Sequence, residues 1–106
     1  MKRIFAAGIA AVICADAASA QDLGTAGEFL VFCKNDVAAC EEEIDVVDFV
    51  LVMDDRTVNY CAPPEGPDLA TTRVRLIELL DAHPEVHDRP YDPFVYDLVQ
   101  SLFPCE

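Results

Sequence analysis

Cysteine, histidine and carboxylate are the side chains here whose spacing could carry chemistry: the 106-residue chain holds 5 cysteines, 2 histidines and 20 acidic residues. Cys14 lies in an apolar N-terminal run, and Cys33, Cys40, Cys61 and Cys105 follow it. Thiols can hold zinc, but structural zinc sites are built from close C-x-x-C-like pairs, and this chain has none. A nucleophilic cysteine needs a base set beside it, and no motif gives either histidine that role. An even set of cysteines in a short exported chain forms disulfides instead. His83 and His87 stand four apart, as in the zinc-protease pattern H-E-x-x-H. Pro84 occupies the place of the glutamate, however, and breaks the helix that pattern needs. The segment is expected to be a helix terminator with exposed histidines. Neither a G-x-S-x-G elbow nor a phosphate loop is present. No catalytic residue, metal ligand or cofactor is therefore assigned, and the chain is not expected to be an enzyme.

The N-terminus explains why the thiols should oxidise. Lys2 and Arg3 precede an apolar core from Ile4 to Ala15, and Ala18-Ser19-Ala20 is a small-x-small cleavage site before Gln21. Those parts make a secretory signal peptide over residues 1–20, leaving a single domain over 21–106. The apolar core is too short for a stable membrane anchor, so export to the periplasm is expected without a membrane attachment after cleavage. Cleavage leaves 5 basic and 19 acidic residues, a formal charge of −14 against −13 for the whole chain. So acidic a domain repels nucleic acid and anionic lipid and attracts a basic protein.

Four helices are needed to position these residues. Thr25-Ala26-Gly27-Glu28 has the form of a capping box and opens a helix over Ala26–Lys34 carrying Phe29, Leu30 and Phe32. Asp36 caps a long central helix, Val37–Tyr60, whose β-branched content suits a strand but whose length suits a helix. At 100° per residue Glu41, Asp45, Asp48, Val52 and Asp55 share one face of it. The apolar residues from Ile44 to Met53 fill the remainder, which predicts burial on most sides with one acidic stripe left open. The carboxylates Glu41, Asp45, Asp48 and Asp55 of that stripe are the candidate partner-binding residues.

Cys61-Ala62-Pro63-Pro64-Glu65-Gly66-Pro67 is a stiff loop. A third helix, Ala70–Ala82, faces inward with Leu69, Leu76, Ile77 and Leu80; Arg73 falls on the same arc, where its stem is expected to snorkel at the helix end, the alternative being a pairing with one of the many carboxylates. Asp92-Pro93 opens the last helix, Pro93–Leu102, with Phe94, Val95, Leu98, Val99 and Leu102 as its buried stripe. The fold class is thus all-α, a small four-helix domain stapled by disulfides. Four cysteines allow three connectivities. Helix geometry favours Cys33–Cys40 across the turn at Asn35-Asp36, and Cys61–Cys105 between the ends of the central and last helices.

Several short elements recur together: Gly27-Glu28-Phe29-Leu30 then Cys33; Cys40; Tyr60-Cys61-Ala62-Pro63; Leu79-Leu80 before His83-Pro84-Glu85; and Leu102-Phe103-Pro104-Cys105. In this order after a signal peptide, the pattern resembles the Rap/Tai family of type VI secretion immunity proteins, over essentially the whole mature chain. The resemblance implies a small periplasmic helical protein, commonly a homodimer. Its implied partner is a peptidoglycan amidase toxin, which it binds and blocks. Two other readings fit the composition. One is an Hde-type acid-stress chaperone, which shares the signal peptide, tied helices and carboxylates but lacks the His-Pro-Glu and Phe-Pro-Cys elements. The other is an exported interaction module with an unassigned partner.

Overall fold

A computed structural model describes residues 23–54 and 59–106. The signal peptide expected over 1–20 and Asp55 of the acidic stripe lie outside the described residues. The described chain is all-helical. Its order is α1 (Ala26–Asn35), α2 (Val37–Met53), α3 (Leu69–Ala82), a 3-10 turn (Pro84–Val86) and α4 (Tyr91–Ser101).

The start of α1 is capped as the sequence predicts. Thr25 Oγ1 accepts from the Glu28 amide at 3.2 Å, and Glu28 Oε1 accepts from the amides of Thr25 and Gly24 at 3.1 and 2.9 Å. Two further amides of that first turn donate across the molecule, Ala26 to Arg89 and Gly27 to His87, each at 2.9 Å. Gly27 permits this approach: a Cβ there would stand 3.1 Å from both the His87 Cβ and its carbonyl oxygen.

A single residue joins α1 to α2. The Asp36 amide closes α1 on Phe32 at 3.1 Å, while its carboxylate accepts from the Ala39 amide at 3.1 Å and opens α2. The Cys33–Cys40 disulfide spans this corner with a Cα–Cα distance of 4.7 Å, and both residues are buried. The second predicted bridge, Cys61–Cys105, is also present, at a Cα–Cα distance of 5.1 Å.

The central helix is shorter than its apolar run predicts. It ends at Met53, with Asp54 already extended, whereas the sequence pattern carried it to Tyr60. Asp54 places a carboxylate at the negative end of the helix dipole. Asn59 sits at φ 64°, a left-handed conformation that asparagine tolerates. Cys61 therefore belongs to the loop that follows rather than to a helix end. There its amide donates to the Phe103 carbonyl at 2.8 Å, and the Cys105 amide donates to Asn59 Oδ1 at 3.0 Å. These bonds and the bridge tie the loop to the chain end beyond α4.

Asp68 caps α3 by accepting from the Thr71 amide at 3.0 Å, which starts the helix one residue before the predicted Ala70. The last helix begins at Tyr91, two residues before the predicted Pro93, with Pro90 as its N-cap and no side-chain capping bond; Asp92, expected to be the cap, instead lies inside it with extended dihedrals directly before Pro93. All four helices meet around Phe29, Ile44, Val47, Leu76, Leu80, Val95 and Val99, each nearly or fully inaccessible. Tyr91 also joins this core, tilted against Phe29 at 5.4 Å between ring centroids. The histidine segment after α3 is not wholly exposed as expected. His83 is open to solvent and donates to Glu85 at 2.9 Å. His87 is half-buried and donates through Nε2 to the Leu80 carbonyl at 2.5 Å, satisfying a C-terminal carbonyl of α3.

Candidate functional site

The side chains of α2 sort into three bands around its axis. One narrow stripe, Cys40, Ile44, Val47 and Leu51, faces the core at the 4-3-4 spacing of a single helix face. On either side of it carboxylates are held by the rest of the molecule. Glu43 accepts a hydrogen bond from the Tyr91 hydroxyl on one border. On the other, Asp48 accepts from Tyr60 at 2.5 Å, and Glu41 pairs with Arg73 Nε at 3.0 Å. Burial and then the carboxylate partner push both phenols above their ordinary range, Tyr60 through Asp48 and Tyr91 through Glu43.

The third band is open. Val46, Phe49, Val50, Val52 and Met53 are exposed, Phe49 at 63% and Met53 at 65%. The expectation that this helix is buried on most sides is therefore corrected. The other three helices all lie on one side of α2 and cover one stripe, so roughly half of its apolar residues face outward.

Each candidate partner-binding residue takes a different place. Glu41 is half-buried and engaged with Arg73, so Arg73 pairs with a carboxylate rather than snorkelling as expected. Asp48 is half-buried and bonded to Tyr60, whose ring also meets Phe103 edge-on at 6.1 Å. Asp45 is exposed. Asp55 lies outside the described residues. The structure thus brings Asp45 and Asp48 to one surface and turns Glu41 inward.

That surface is concave. Asp45, Asp48, Phe49 and Val52, at the i, i+3, i+4, i+7 positions of α2, form one wall of a groove of about 420 Å³. Ala62, Pro63, Pro64, Glu65 and Gly66 form the other. The turn that shapes this second wall is closed by the Gly66 amide donating to the Pro63 carbonyl at 2.8 Å, with Gly66 at φ 97°. Among the described residues, no lysine or arginine lines this groove. Sequence reasoning placed Asp45, Asp48 and Val52 on one open face but missed Phe49 and the proline wall. Apolar periodicity alone does not tell a covered face from an open one.

A second, more apolar depression of about 280 Å³ lies between α3 and α4, lined by Leu79, Leu80, His83, Val86, Phe94 and Leu98. Among the described residues no cluster of three or more potential metal-binding side chains occurs. No described helix is long and apolar enough to cross a membrane. The two disulfides fit an oxidising compartment. Comparison with protein-family models, with curated proteins and with solved structures returned no match for this chain.

Proposed function

We propose that this protein is an exported, non-catalytic binding module that occludes a basic protein partner. Its place of action is the periplasm, reached by the signal peptide. The resemblance set out above points to a peptidoglycan amidase delivered by neighbouring cells as that partner. The observation that carries the reading is the open band of α2, where large apolar side chains and carboxylates share one exposed face. A small soluble domain gains nothing from leaving Phe49 and Met53 in water, whereas burying each against a partner contributes about 1.5–3 kcal/mol. The carboxylates add encounter rate: a chain of charge −13 draws a basic partner toward itself over the range of the Debye length.

Three measurements test this. Periplasmic expression should protect cells against a cell-wall hydrolase if one is encoded beside this chain, and the purified pair should associate at or below micromolar concentration. Replacing Asp45 and Asp48 with Asn should lower the association rate and flatten its salt dependence while leaving dissociation nearly unchanged. Neither protection nor association with any neighbouring hydrolase would end the immunity reading.

A further inference from the structure

We propose that the groove between α2 and the Pro63–Gly66 turn is the docking site for an amphipathic, basic segment of the partner. Its apolar side chains would lodge on Phe49 and Val52 against Pro63, and its lysines or arginines would face Asp45, Asp48 and Glu65. This rests on the binding-module reading and adds to it a surface and a ligand chemistry.

The argument is complementarity of charge and shape. Phe49 and Val52 are adjacent on one helix face and exposed at 63% and 62%, so they offer apolar area already oriented for contact. The opposing wall is rigid, because Pro63 and Pro64 fix its backbone and the Gly66-to-Pro63 hydrogen bond closes the turn. Docking therefore loses little conformational freedom on this side. Asp45 and Glu65 are exposed on opposite walls, and Asp48 spends one hydrogen bond on Tyr60. A cation entering the groove would meet carboxylates from both sides while its aliphatic stem lay on the apolar floor. The same charges disfavour a second copy as the occupant. Two copies paired symmetrically through this face would set Asp45, Asp48 and Glu65 against their own counterparts, with no lysine or arginine among the described lining residues to compensate. The α3–α4 depression lacks such a charged rim, since His83 is the only ionisable side chain among its described lining residues.

The test uses the oxidised protein and two synthetic peptides of identical leucine and lysine composition, one ordered as an amphipathic helix and one scrambled. The amphipathic peptide should bind at least about tenfold more tightly. A Phe49→Ser, Val52→Ser double variant should weaken it about tenfold or more, the loss expected of central apolar anchors, without changing the salt dependence. Both residues are exposed, so the variant should keep the helical circular dichroism of the parent. Backbone amide shifts on binding should concentrate on α2 and residues 62–66. Equal binding of the two peptides, an unaffected double variant, or shifts centred on Leu79 and Leu98 would overturn the proposal. So would a dimer in sedimentation that the double variant abolishes, because a second copy would then be the occupant. The hydrolase complex separates the two readings. If the complex forms and the double variant leaves it intact, the groove is not the interface and the immunity reading stands. If no hydrolase binds but the groove passes the peptide test, the immunity reading falls and the docking site stands.

Discussion

Three side-chain pairs decide which way α2 faces. Glu43 with Tyr91, Asp48 with Tyr60 and Glu41 with Arg73 fasten both borders of its buried stripe. Rotation of the helix about its axis would break pairs on both sides at once, so the apolar band stays outward. None of these pairs was legible in the sequence. Tyr91 and Glu43 are 48 residues apart, and no local pattern links residues at that distance. The pairs have a consequence for pH. Burial and nearby carboxylates raise all three tyrosines, with Asp92 the larger carboxylate influence on Tyr96. In the unfolded chain a phenol ionises at about 10. Because the folded values are higher, the stabilisation is complete below about pH 10 and is lost as pH rises through the folded values. Phenolate absorbance should therefore show no tyrosine titrating at the ordinary value while the chain is folded. Urea midpoints should be level below about pH 10 and fall above it. A normal titration of any one tyrosine would contradict the contact assigned to it.

At the scale of elements, starts were more legible than ends. Asp36 and the Thr25–Glu28 box announce α1 and α2 because capping is local, and every partner lies within four residues. The end of α2 was not readable, since the apolar run continues through Val52 and Met53 and gives no glycine or proline stop. The box also anchors the chain from 87 to 90 against α1, through amides of Ala26 and Gly27 aimed at Arg89 and His87. Thr25→Ala should therefore cost about 1 kcal/mol of unfolding free energy, the usual loss for such a cap. Hydrogen exchange should also quicken at the amides of Ala26 and Gly27. A stability change without faster exchange at those amides would separate the cap from the cross-chain contact.

For the whole molecule, the disulfides do what the core alone does poorly at this size. On the chain-entropy account the bridge with a sequence separation of 7 contributes about 2 kcal/mol, and the one with a separation of 44 about 4 kcal/mol. Both pairings followed from where helices begin and end, even though Cys61 proved to lie beyond its helix. The elements that carry the family resemblance occupy the same framework: Glu28 caps, Gly27 allows the His87 approach, and Phe103 packs on Tyr60 and receives the Cys61 amide. They speak to how the chain folds. The groove that could choose a partner draws on other residues, chiefly Asp45, Phe49 and Val52, which is why the candidate site was only half legible. Under graded reduction with alkylation, Cys61 and Cys105 should label before Cys33 and Cys40, because Cys61 is exposed and the latter pair is buried. Simultaneous labelling of all four thiols would show that the domain opens as a unit before either bridge is reached.

The one-residue corner at Asp36 also bears on the order of events when the thiols first oxidise. Cys33 and Cys40 can meet as soon as the corner forms, because their encounter needs only a short stretch of chain, whereas Cys61 must wait for a partner 44 residues further on. Early closure of the corner takes away the two thiols with which Cys61 could otherwise form a wrong bridge. The short disulfide thus guards the fidelity of the long one. Refolding from the reduced state in a glutathione buffer should close Cys33–Cys40 first and then pair Cys61 almost entirely with Cys105. In a Cys40→Ser variant, Cys33 is left free and a Cys33–Cys61 species should accumulate, visible as a crosslinked peptide in unreduced digests.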